Sequence, residues 1–118
     1  MIIDTHAHFT PQSMLQALKR EISQFPSVEL LVDDDTYKLG FAGGKLTRPI
    51  SRKLREVDQR LDWMGDQCID AQVTGGWLDS FGYELPAEEG AAWSRFLNEF
   101  LMSGTEQHKG LIPLATVP

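Results

Sequence analysis

The chain has 118 residues, 42% of them apolar and 24% charged, a composition that builds one hydrophobic core and carries no sign of disorder. Its formal net charge of -6, with the basic residues scattered apart from one local run, Arg48 to Arg60, argues against a surface built to neutralise nucleic-acid phosphates. A single cysteine, Cys68, cannot close an internal disulfide and points to a reducing compartment, the cytoplasm.

Met1 is followed at once by Ile2, Ile3 and Asp4. With no basic leader and no long apolar run, neither a signal peptide nor a membrane span is expected. The β-branched start predicts a buried strand over Met1–Thr5. Thr10 and Pro11 read as an N-cap and a first helical residue. Met14, Leu15, Leu18, Ile22 and Phe25 then recur at helical spacing up to Pro26, predicting a helix over 11–25.

Residues 28–50 change pattern, with two short apolar runs around Asp33-Asp34-Asp35 and the Gly43-Gly44 pair, and predict small strands or a hairpin inserted into the main architecture. Leu54, Val57, Leu61 and Met64 predict a second helix, with Arg55, Glu56, Asp58, Gln59 and Arg60 facing water. Cys68–Thr74 reads as a second core strand, with Cys68 buried at its start, broken by Gly75-Gly76. A loop containing Trp77, Phe81 and Tyr83 follows. These three aromatics either line a pocket mouth or serve as ordinary loop packing. Pro86 opens the longest helix, whose stripe Trp93, Phe96, Leu97, Phe100 and Leu101 reads as core. Gly110–Leu114 predicts a third strand.

Strand and helix alternate as in a parallel α/β protein. A doubly wound sheet is the alternative, but its Gly-rich phosphate-binding turn is missing: the turn after the first strand reads His6-Ala7-His8-Phe9-Thr10. Side chains alternate along a strand, so Asp4, His6 and His8 share one face if the extended conformation persists to residue 8. Two imidazoles at i and i+2 on a rigid strand end can supply two positions around Zn²⁺ or a similar ion, with Asp4 holding an imidazole tautomer behind them. Taken alone, His-x-His is more often a surface or satisfied pair; here it follows an N-terminal strand and precedes Pro11. His108, beside Lys109, reads as a capping or solvated residue at a helix end.

The run Asp4-Thr5-His6-Ala7-His8-Phe9-Thr10-Pro11 resembles the first strand of the amidohydrolase-related family, which includes aminocarboxymuconate semialdehyde decarboxylase and the resorcylate-type aromatic acid decarboxylases. Gly44–Arg48, Val57–Leu61, Ile69–Val73 and Gly110–Leu114 are similar in order to that family, so the likeness runs along the whole chain, although only the histidine motif is specific. The resemblance implies a (β/α)8 TIM barrel and one divalent metal, usually zinc, held by His6, His8, a further histidine and a late aspartate. It implies that Arg48 contacts a substrate carboxylate; a surface arginine ahead of a helix is the other reading.

A complete barrel takes about 250 residues. The expectation is therefore an α/β fold made of about the first three strands of such a barrel with a small inserted hairpin, residues 1–118 forming the N-terminal part of one domain and 28–50 the insertion. The chain then reads as a fragment, inactive alone, with its other ligands and its acid/base beyond residue 118. Free sheet edges and uncovered apolar faces would make it marginal and prone to associate, completed by a homo-oligomer or by the missing part of the barrel.

Three functional readings follow. The first is a metal-dependent decarboxylase of a small carboxylated aromatic or unsaturated acid. The second is a hydrolase of a lactone, amide or ester using the same metal. The third is a non-catalytic truncated remnant. Metal-dependent deoxyribonucleases share an Ile-Asp-x-His-x-His strand but usually lack the insertion, and the acidic balance opposes them.

Overall fold

In the computed structural model, which describes residues 1–118, the β-branched start of the chain extends as β1 (Ile3–His8), carrying the strand three residues beyond Thr5, but as an edge strand whose Ile2 and Ile3 are exposed, not buried as expected. Helix α1 (Gln12–Glu21) follows and tightens into a single 3-10 turn over Ile22–Gln24 before Pro26. It buries Met14, Leu15, Ala17 and Leu18. Pro11, not Thr10, occupies the cap position. The Thr10 hydroxyl is buried with no hydrogen-bond partner, while its amide bonds the Leu54 carbonyl at 2.8 Å.

Strands β2 (Val28–Asp33) and β3 (Thr36–Phe41) form an antiparallel hairpin with Asp33 opposite Thr36. Its two-residue turn places Asp34 at φ 50°, the sense of bend that matches the right-handed twist of paired strands and that aspartate tolerates. Residues 42–50 run back along β3: Thr47 N bonds Leu39 O at 2.7 Å and Ile50 N bonds Tyr37 O at 2.9 Å.

The second predicted helix is broken at Glu56 into α2 (Arg52–Arg55) and α3 (Val57–Asp66). Strand β4 (Ala71–Gly75), helix α4 (Ala87–Thr105) and strand β5 (Leu111–Leu114) complete the order. Helix α4 buries Trp93, Phe96, Leu97 and Leu101 along its inner stripe.

The parallel sheet has the order β1-β4-β5, and this overturns the expected partial (β/α)8 barrel. Barrel closure requires every strand to be hydrogen-bonded on both sides. Here β1 and β5 each have one neighbour, leaving an open three-stranded sheet beside a separate two-stranded hairpin. The fold is a small α/β domain.

Its main core lies among α1, α4 and the hairpin, where Leu15, Leu18, Leu39 and Trp93 are fully buried. Phe25 meets Trp93 edge to face with ring centres 5.2 Å apart. The hairpin is thus a wall of the core. Arg55, only 4% exposed, ties three segments together: its guanidinium bonds Gln12 of α1, the Ile50 carbonyl and Asp35 of the hairpin turn. Hydrogen bonds from Arg55 and Arg52 hold the Asp35 carboxyl down at about 2.

Two residues read as facing water, Arg55 and Arg60, are buried. Cys68, expected inside a strand, is exposed and sits at φ 55°. It ends α3 in a Schellman arrangement: Cys68 N bonds Gly65 O at 3.1 Å and Ile69 N bonds Met64 O at 2.9 Å, which satisfies two terminal carbonyls of the helix.

Candidate metal centre

Strand β1 pairs with β4 through Asp4 and Gln72, then through Ala7 and Thr74. Two residues of β1, Thr5 and His6, therefore face the single Val73. This bulge re-aims side chains at the strand end, as bulges beside functional sites do. Simple alternation is lost, yet the two imidazoles still converge: His6 Nε2 and His8 Nε2 lie 3.2 Å apart, with the rings nearly perpendicular at 89°.

The tautomer of His8 follows from its partners. Its Nδ1 lies 2.9 Å from the Gly76 carbonyl oxygen, which can only accept, so Nδ1 carries the proton and Nε2 presents a lone pair. In the metal-free pair, His6 Nε2–H then donates to His8 Nε2. Moving the His6 proton to Nδ1 leaves a lone pair on each Nε2. Two bonds of about 2.05 Å separated by 3.2 Å subtend an angle of about 103°, near the tetrahedral value for zinc.

The pair fits half of a metal site. No group of three or more His, Cys, Asp or Glu side chains is placed to hold an ion. Asp4 does not bond an imidazole as expected: its Oδ1 accepts the backbone N–H of His6 at 3.0 Å and its Oδ2 accepts Gln72 Nε2 at 2.8 Å. Those two hydrogen bonds, the His6 amide first, lower the carboxyl's pKa and keep it ionised.

His6 and His8 line a cleft of about 650 Å³ between the β1 end of the sheet and α3. Three carboxylates, Asp4, Asp62 and Asp66, and two cations, Lys53 and Arg60, line it, an excess of negative charge that favours a bound cation. Lys53 takes part in none of the protein's ion pairs. The ring of Trp63, 46% exposed, forms part of the wall.

Arg48 is not brought into this cleft. Its NH2 pairs with Asp79 Oδ2 at 3.2 Å, and its guanidinium lies 5.8 Å from the centre of the Trp77 ring. Trp77 is buried in the core and Tyr83 is 67% exposed; neither lines the cleft, and nor does Phe81. His108 lies in the turn after α4, its amide bonded to the Thr105 carbonyl. Lys53, Trp63 and Arg60 are among the cleft residues that sequence reading missed as site residues. For Arg60 a signal existed: it stands three residues after Val57 and four before Met64, on the inner stripe of α3.

The sequence matches no model of a known protein family and no curated protein. No helix is long and apolar enough to cross a membrane.

Proposed function

We propose that His6 and His8 are the metal-holding half of a metal-dependent enzyme site of the amidohydrolase-related kind, acting by decarboxylation on a small carboxylated aromatic or unsaturated acid. The observation that carries this reading is the convergence of the two Nε2 atoms at 3.2 Å, with the His8 tautomer fixed by the Gly76 carbonyl. A divalent ion bound there, zinc foremost, supplies Lewis acidity and a positive charge that orients a carboxylate.

The chain's own residues contribute recognition. Lys53 offers an ammonium group free of ion pairs, and Trp63 offers a ring face to an unsaturated or aromatic acid. For Arg48 to bind the substrate carboxylate it must first leave Asp79. A hydrolase of a lactone, amide or ester uses the same histidines, and product analysis separates the two: released carbon dioxide against a ring-opened or cleaved acid. The lone exposed Cys68 supports a cytoplasmic setting.

One observation favours the non-catalytic reading, the lack of a third ligand, since catalytic zinc sites use three protein ligands. Calorimetric zinc titration of the chain and of a His6→Ala/His8→Ala variant decides. Binding near one equivalent that disappears in the variant supports the metal site and leads to a screen of small carboxylic acids. Equal behaviour of the two proteins sinks it.

A further inference from the structure

We infer that Arg60 is a positioning residue that grips both histidines of the pair at once. The inference rests on the reading of His6 and His8 as the site, and concerns what holds them in register. Arg60 projects from α3 into the protein and is 8% exposed. Its NH2 donates to the carbonyl oxygen of His8, which anchors that end of the motif directly. Its NH1 donates to Gln72 Oε1 at 2.6 Å. Gln72 Nε2 then donates to Asp4 Oδ2 at 2.8 Å, and Asp4 Oδ1 accepts the backbone N–H of His6 at 3.0 Å. One guanidinium thus reaches His8 through one hydrogen bond and His6 through three.

The chemistry of the residue suits the task. A planar fork sends two donors in fixed, divergent directions, which a lysine ammonium does not reproduce. Gln72 is 2% exposed and can face Arg60 only through its carbonyl oxygen and Asp4 only through its amide, so the chain of donors and acceptors has one arrangement. A third donation, from NH2 to the Lys53 carbonyl at 3.2 Å, and the Phe9 ring 5.1 Å from the guanidinium carbon hold the fork in place. Burial without a direct carboxylate partner is costly for a guanidinium. Its Nε is left with no partner at all. A hydrophobic side chain at this inner-stripe position would pack against Phe9 at less cost, so the two-armed contact with the histidine motif is the feature that accounts for an arginine here.

The bulge adds the need for such a grip. Between Asp4 and Ala7 the ladder with β4 is out of register, so sheet hydrogen bonding does not by itself fix the backbone at His6. The Asp4 carboxylate supplies what the ladder omits, and Arg60 acts on that carboxylate through Gln72.

The test uses the full chain without metal first, reading the imidazoles by long-range proton–nitrogen NMR, and then zinc titration. In the wild type His8 is expected as the single Nδ1–H tautomer. Arg60→Met is expected to keep a dispersed amide spectrum, to release His8 into mixed tautomers and to shift His6. Asp4→Ala, which cuts only the His6 arm, is expected to shift His6 and to leave His8 in its single Nδ1–H tautomer, still held by the Gly76 carbonyl, a selectivity that general loosening does not produce. Arg60→Lys is expected to show changes at both rings between those of wild type and Arg60→Met, and it decides the matter if the methionine variant fails to fold. With zinc, Arg60→Met is expected to bind about tenfold more weakly, as for other residues that orient ligands. A folded Arg60→Met or Arg60→Lys protein with both imidazoles as in wild type overturns the inference. A wild type that takes up no zinc overturns the metal reading alone, because the metal-free spectra still report on the grip.

Discussion

Replacing Leu39 by alanine tests whether the hairpin is a wall of the core or an appended insertion. Leu39 is fully buried, on β3, in the same cluster as Leu15, Leu18 and Trp93. Alanine removes three carbon atoms, worth about 2.4 kcal/mol at ~0.8 kcal/mol each. The cavity left among α1 and α4 adds to this, bringing the loss to about 3 to 4 kcal/mol, within the range seen for buried leucines. For a domain this size that is a drop in melting temperature of about 10 to 15 °C. Urea titration followed by tryptophan fluorescence and far-ultraviolet circular dichroism measures it, and the two probes are expected to coincide with an unchanged slope. Leu31→Ala, on the same hairpin but 37% exposed, serves as control and is expected to cost under about 1 kcal/mol. A loss at Leu39 as small as at Leu31, or a hairpin transition separate from that of the helices, would show that the hairpin folds apart from the core and refute the reasoning.

Three further outcomes are expected. Asp35 has its pKa lowered from 3.8 to about 2, first by Arg55 and then by Arg52; its contribution to stability is therefore present above pH ~4 and lost as pH falls through about 2. Asp35→Asn should flatten that part of the curve, read from urea midpoints at a series of acidic pH values, and an unchanged acid slope would show that the carboxylate does not act this way. Cys68→Gly relieves a non-glycine residue at φ 55° in the Schellman turn and should stabilise by about 1 kcal/mol in thermal melts, whereas a destabilised variant would mean that the thiol packs usefully. Ile3 and Ile112 are 47% and 45% exposed on an open sheet, so sedimentation should show concentration-dependent association that Ile112→Lys reduces; a monomer at every concentration would count against the free edges being sticky.

The elements were legible in the sequence where a single period dominates. The α4 stripe from Trp93 to Leu101 and the β1 start needed only apolar spacing, and the hairpin announced itself by the change of pattern at Val28. What failed depended on tertiary partners. Glu56 breaks a helix that Leu54, Val57 and Leu61 read as continuous. Cys68 takes a left-handed cap position that chemistry alone assigns to glycine. Sequence pattern sends Arg55 and Arg60 to solvent because a charged residue is rarely buried; only the acceptors that meet them, Asp35 with the Ile50 carbonyl for one and Gln72 with the His8 carbonyl for the other, make burial tolerable. The barrel expectation failed for a related reason: alternating strands and helices specify a parallel sheet but not its closure. At the site, the histidine pair was visible as a motif, while Lys53 and Trp63 come to the cleft from elements whose packing no local pattern encodes.

The core and the cleft share only Leu54, which decides how site variants can be interpreted. None of Asp4, His6, His8, Lys53 or Trp63 belongs to the buried cluster among α1, α4 and the hairpin. His6 is exposed and His8 half-buried, and the bond between them joins two rings beside solvent. Replacing both with alanine removes that bond and the His8 contact to Gly76, each worth about 1 kcal/mol at most, while Phe9 N to Gly75 O at 2.8 Å still ties down the end of β1. The double variant should therefore melt within a few degrees of wild type. Lost zinc binding in such a protein reports on ligation. A melting temperature lower by 10 °C or more would instead mean that the imidazoles are structural, and that the 3.2 Å contact exists to close the strand end and not to receive an ion.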